Sequence, residues 1–161
     1  MDLLRYLSIC TLLLVVGGCG EKDPQELLAA AEKAATDQAT LDRAVEHYSE
    51  FLQTFSQHEK APVAVKQLAA IAQQKGDMQG AIVLYERLLS EYPKSEYGDE
   101  AQFMIAFIYE EYLRDAVKAR SAYQLVIDRY PNSELAASAK QLLPNVGRDP
   151  EEWVRFQDKT N

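Results

Sequence analysis

The chain has 161 residues, enough for one domain or one short repeat array. Its net charge of −8 lacks the positive footprint that nucleic-acid binding needs, and excludes adsorption to an anionic lipid surface by charge alone. The two cysteines, Cys10 and Cys19, both lie near the start, so nothing beyond residue 19 can form an intramolecular disulfide or a thiolate metal site.

Residues 1–6 carry one positive side chain, Arg5, and residues 7–16 are almost wholly apolar. This is a charged n-region followed by an h-region of secretory length, well short of the ~20 residues of a membrane span. Val16-Gly17-Gly18-Cys19 then follows. It resembles the bacterial lipobox: an aliphatic residue, two small ones and an obligatory cysteine. The resemblance implies a signal peptide over residues 1–18, cleavage before Cys19, and acyl chains, palmitate among them, on that residue. Two or more chains make a stable anchor where one is marginal. Gly20 follows the cysteine rather than the Asp associated with inner-membrane retention, which by the same resemblance implies the periplasmic face of the outer membrane. Residues 19–23 form a short tether. Asp23 reads as a helix N-cap, Pro24 as the first helical position and Glu26 as the partner in a capping-box-like pair.

Beyond the tether three segments share one pattern. Ala44, His47, Tyr48, Phe51, Leu52 and Phe55 recur as Ala81, Leu84, Tyr85, Leu88, Leu89 and Tyr92, then as Ala119, Ala122, Tyr123, Val126, Ile127 and Tyr130. Steps of 3, 1, 3, 1, 3 trace one apolar face of an α-helix. The copies are offset by 37 and then 38 residues. Tyr92-Pro93-Lys94-Ser95 and Tyr130-Pro131-Asn132-Ser133 share a turn in which proline stops one helix and serine can cap the next. Phe55-Ser56-Gln57-His58 is its degenerate first form. Alanines 64, 101 and 139 follow each aromatic by nine residues. The spacing predicts helices over 24–37, 40–56, 60–75, 77–92, 96–112, 115–130 and 133–143, with no strand. A period of this length and content means stacked helix pairs.

These residues resemble tetratricopeptide repeats. Lys75-Gly76-Asp77 looks like the turn inside such a repeat, with Ala81, Tyr85 and Pro93 at its small, aromatic and proline positions; Ala119, Tyr123 and Pro131 do the same in the third copy. That copy replaces the Gly-Asp turn by residues 110–115 and is one residue longer. The expected fold is all-α: a helical-hairpin solenoid of about three repeats over 24–143, closed by a capping helix. Tyr48, Tyr85 and Tyr123 are expected to pack between paired helices, and His47 to lie partly buried on a helix face. His47 and His58 stand apart without a cysteine partner and suggest no metal site.

The same resemblance implies that the first helix of each pair lines a concave groove. Candidate groove residues are Lys33, Lys66, Ala70, Gln73, Phe103, Phe107 and Glu110. Phe103 and Phe107 are four apart on one face, away from the Gln102, Ile105, Ala106 and Tyr109 stripe, which suits gripping a partner helix or extended peptide. The Lys/Asn set that captures a peptide carboxylate is absent. No nucleophile elbow, P-loop or zinc-protease motif is present, and Glu110-Glu111 reads as a solvated helix face. In the tail, residues 144–161, Asp149, Pro150 and Glu152 suggest a short helix that brings Trp153 and Phe156 to one side, expected to dock on the array.

Lipobox, short tether and Tyr-Pro-x-Ser repeats together resemble the repeat lipoproteins of bacterial envelopes: the BamD-like lipoproteins of outer-membrane β-barrel assembly, and the repeat region of the Tol–Pal-associated division coordinator. This implies a non-enzymatic scaffold that binds envelope proteins, with no cofactor beyond the lipid on Cys19. A periplasmic chaperone or pilotin-like factor for secreted or pilus proteins is the alternative.

Overall fold

Aspartate and serine side chains set where four of the seven described helices begin. The computed structural model describes residues 22–148. Within them run α1 (Pro24–Ala34), α2 (Leu41–Thr54), α3 (Ala61–Gln74), α4 (Met78–Glu91), α5 (Gly98–Phe107), α6 (Ala116–Arg129) and α7 (Glu134–Leu142). Asp23 accepts from the Gln25 amide at 2.8 Å, Asp77 from Gly80 at 2.8 Å, Asp115 from Lys118 at 3.0 Å and Ser133 from Ala136 at 3.0 Å. Each such cap is worth about 1 kcal/mol. The second helices end alike: Phe55, Tyr92 and Tyr130 all have φ −127° and donate their N–H to Phe51, Leu88 and Val126.

The helices pack as three antiparallel pairs, α1 with α2, α3 with α4 and α5 with α6, each pair resting on the next and α7 closing on α6 and α5. There is no strand among the described residues. The repeated positions form the core. Ala44, Ala81 and Ala119 are fully buried, as are Ala64, Ala101 and Ala139, so backbones approach closely where the helices cross. Tyr48, Tyr85 and Tyr123 are 1, 3 and 0% exposed. The packing reading of these tyrosines holds, and His47 is half-buried as expected.

The structure corrects the sequence reading at several turns. The helix expected over 24–37 stops at Ala34, and Gln38–Thr40 forms a 3₁₀ turn capped by Asp37. Glu26 makes no capping bond; Asp23 alone caps, through Gln25. Ser95 does not cap α5 either. Its hydroxyl accepts from the Tyr97 amide at 3.2 Å, inside the turn. His58 does the same one repeat earlier, its Nδ1 accepting from Lys60 at 3.1 Å while its ring edges onto Phe51. A histidine thus performs the turn serine's task.

The expected helix over 96–112 is α-helical only to Phe107. Ile108–Tyr112 is a π-turn, which absorbs the extra residue of the third copy by widening the hydrogen-bonded loop. Leu113 donates to Ile108 at 3.0 Å and Asp115 to Tyr109 at 2.8 Å. Arg114 then takes φ +53°, where Gly76 takes φ +81° in the preceding repeat. An L side chain in that region costs about 1 kcal/mol or more, and glycine does not. The Arg114 side chain is exposed and only 3.9 Å from Glu111, a contact of little worth. Arg114→Gly is therefore expected to stabilise the fold by about 1 kcal/mol, and Gly76→Ala to destabilise it by a similar amount. Urea midpoints that move the other way would contradict the two backbone assignments.

Candidate functional site

The first helices carry their candidate residues in register. Lys33, Ala70 and Phe107 succeed one another at intervals of 37 residues, as do Lys66 and Phe103, and Gln73 and Glu110. The structure brings most of this ladder into contact with the chain itself. Lys66 pairs with Glu100 at 2.9 Å and lies 4.2 Å over the Tyr97 ring. Gln73 accepts from the Tyr85 hydroxyl at 3.1 Å, and Glu110 from the Tyr123 hydroxyl at 2.9 Å. In the second and third pairs a polar residue near the end of the first helix thus satisfies the phenol sent in from the second. Burial pushes the Tyr85 phenol up to about 12, with the Glu100 charge adding to it. Burial likewise raises Tyr123, reinforced by its bond to Glu110.

Phe103 stands edge-on to Tyr123 with ring centroids 5.3 Å apart, so it covers the core. Phe107 instead meets Tyr112 at 6.0 Å, and Tyr112 is 53% exposed. Ala70 and Lys33 are exposed on the same ladder. What remains for a partner is the run from Lys33 through Ala70 to the Phe107–Tyr112 pair, with exposed Leu113 beside it. Sequence periodicity missed Tyr112 and Leu113 because the π-turn that places them has no helical period. The extra residue of the third copy was the available signal. Cys19, Trp153 and Phe156 lie outside the described residues.

Two of the open cavities lie among the described residues. One, of about 470 Å³, lies between the turns at 57–63 and 91–97. The other, of about 480 Å³, lies between α4 and α6. Residues 67–95 and 100–133 each match the tetratricopeptide repeat. These two segments, 29 and 34 of the 161 residues, are similar to that repeat. The two matches take in the α3–α4 and α5–α6 pairs, while the α1–α2 pair, the degenerate copy, falls outside both. A comparison with curated proteins finds no match. Among the described residues no helix is long and apolar enough to cross a membrane. Repeats of this kind are protein-interaction platforms, and the half-buried Phe107 beside exposed Tyr112 at the end of the ladder suits that use.

Proposed function

We propose that the chain is a non-enzymatic scaffold, held at the periplasmic face of the outer membrane by lipid on Cys19, that recruits envelope proteins along its first-helix ladder. The observation that carries the binding reading is the Phe107–Tyr112 pair, a half-buried phenylalanine under an exposed tyrosine, left over once Gln73, Glu110 and Phe103 are engaged internally. Anchoring rests on Val16-Gly17-Gly18-Cys19. Lys22, three residues after the cysteine, pairs its ammonium with Glu50 of α2 and so ties the end of the tether to the array. Three residues span at most ~11 Å, so the array would sit against the bilayer.

Within the envelope, the resemblance to BamD-like lipoproteins favours β-barrel assembly or envelope maintenance over Tol–Pal coordination. Labelled palmitate should enter the wild-type protein and not Cys19→Ser, and the variant should leave the outer-membrane fraction. Label retained by the variant would refute the anchor. Crosslinking in cells and purification from solubilised outer membranes should return barrel-assembly subunits at constant ratio. A diffuse set of unfolded clients would replace the scaffold by the chaperone reading, and a secretin or pilus set by the pilotin reading.

A further inference from the structure

The groove between α4 and α6 is unused by the ladder. Leu89, Ile105, Ala122 and Leu125 give it apolar walls, and Glu86, Arg129 and Lys118, the last paired with Asp115, line it with charge of both signs. It is roomy because Ala122 stands where the preceding repeat has Leu84. Gln102 lines it too, 3% exposed, at the position Val65 fills one repeat earlier. The Gln102 side-chain amide has no hydrogen-bond partner among the described residues. No fully enclosed side-chain polar atom there lacks a partner, so this amide opens on the groove. An amide that opens on the groove without a protein partner is free to pair with whatever fills it. The groove therefore suits a large apolar group that also brings one hydrogen-bond donor.

An indole has that chemistry: a wide apolar ring with a single N–H donor. The chain has one tryptophan, Trp153, in the segment beyond the described residues. The described chain ends against α6. Arg120 donates to the Leu143 and Val146 carbonyls, and Gly147, at φ +76°, backs so closely on Ala116 that a Cβ there would come within 2.6 Å of its methyl group. Ala116 adjoins Val117 and Lys118, which line the groove. Residues 149–153 reach up to ~17 Å when extended, more than the ~10–12 Å thickness of a helix with its side chains, so this seating needs an extended segment rather than the short helix that Asp149 and Pro150 suggest. Asp149, Glu151 and Glu152 precede the tryptophan and complement Arg129 in the lining.

We propose that Trp153 seats in the α4–α6 groove with its indole N–H donating to the Gln102 side-chain carbonyl. The tail then closes the apolar groove of the second-helix layer and leaves the first-helix ladder as the open face of the array.

Trp153, as the sole tryptophan, reports directly. In the intact protein its emission should be blue-shifted from that of N-acetyltryptophanamide, and acrylamide should quench it severalfold less. Leu125→Arg, on the groove wall and 37% exposed, should abolish both effects with the helical spectrum unchanged. Leu142→Arg, on α7 and 38% exposed, should leave them intact. Gln102→Leu should raise quenching severalfold without unfolding the chain, since an apolar residue is native at this repeat position. Free-indole emission in the wild type would overturn the proposal. So would protection that survives Leu125→Arg, that Leu142→Arg removes, or that vanishes on dilution; the last would place the indole in a second copy. Quenching unchanged in Gln102→Leu would refute the hydrogen bond.

Discussion

Replacing Tyr123 by alanine is expected to cost about 3–5 kcal/mol, the range for truncating a fully buried aromatic. Tyr123 is 0% exposed and holds α6 to its pair partner in two ways, through the edge-on Phe103 ring and through the bond to Glu110 in the π-turn. Alanine removes the ring and leaves a cavity between helices already close-packed through Ala101 and Ala119. Against a typical total stability of about 5–15 kcal/mol, this leaves the fold marginal. Tyr123→Phe keeps the ring and loses only the hydroxyl, so about 1 kcal/mol is expected, because Glu110 is partly exposed and water can replace the phenol. Urea unfolding followed by circular dichroism separates the two. A loss below about 1 kcal/mol for alanine would mean that the tyrosine ladder does not hold the pairs together.

Alkaline unfolding is the second large effect. Burial pushes Tyr48 and Tyr85 to about 12 from an ordinary 10.0, with Glu32 and Glu100 adding to the respective shifts, and raises Tyr123 as well. In each case the folded value lies above the unfolded one, so the fold favours the neutral phenol. That stability is fully present below pH ~10 and is lost as pH rises from ~10 toward ~12. Tyr48 and Tyr85 each withdraw about 2–3 kcal/mol over this window, at 1.36 kcal/mol per pKa unit. The buried ladder tyrosines are expected to ionise only as helical signal is lost, so their phenolate absorbance and the loss of helix rise together. A single phase near pH ~10 with the helices intact would contradict the burial of this ladder.

The repeat made the fold legible. One apolar face per helix, copied at near-constant offset, is enough to place seven helices, pair them, and name the three tyrosines as core. The periodicity reports which face is buried and nothing about which polar atom meets which. Glu110 therefore reads as a solvated carboxylate, although it accepts the Tyr123 hydroxyl. His58 reads as a degenerate serine, although its ring nitrogen makes the serine's hydrogen bond. Residues 108–112 were opaque for a related reason. A π-turn preserves no helical period, so Tyr112 gave no sign that it would join Phe107 at the surface. Gln102 in a core register where Val65 stands before it was the one polar interruption that pointed at the α4–α6 groove.

The ladder assignment is tested most directly by a photo-crosslinking side chain placed singly at residue 107, on the first-helix ladder, or at residue 83, on α4 and 56% exposed. Irradiated in intact cells, the residue-107 protein should yield one discrete adduct, at constant ratio to the purified partner, and the residue-83 protein none. A discrete adduct at residue 83 with none at residue 107, or a smear at both, would contradict a scaffold that binds through its first helices.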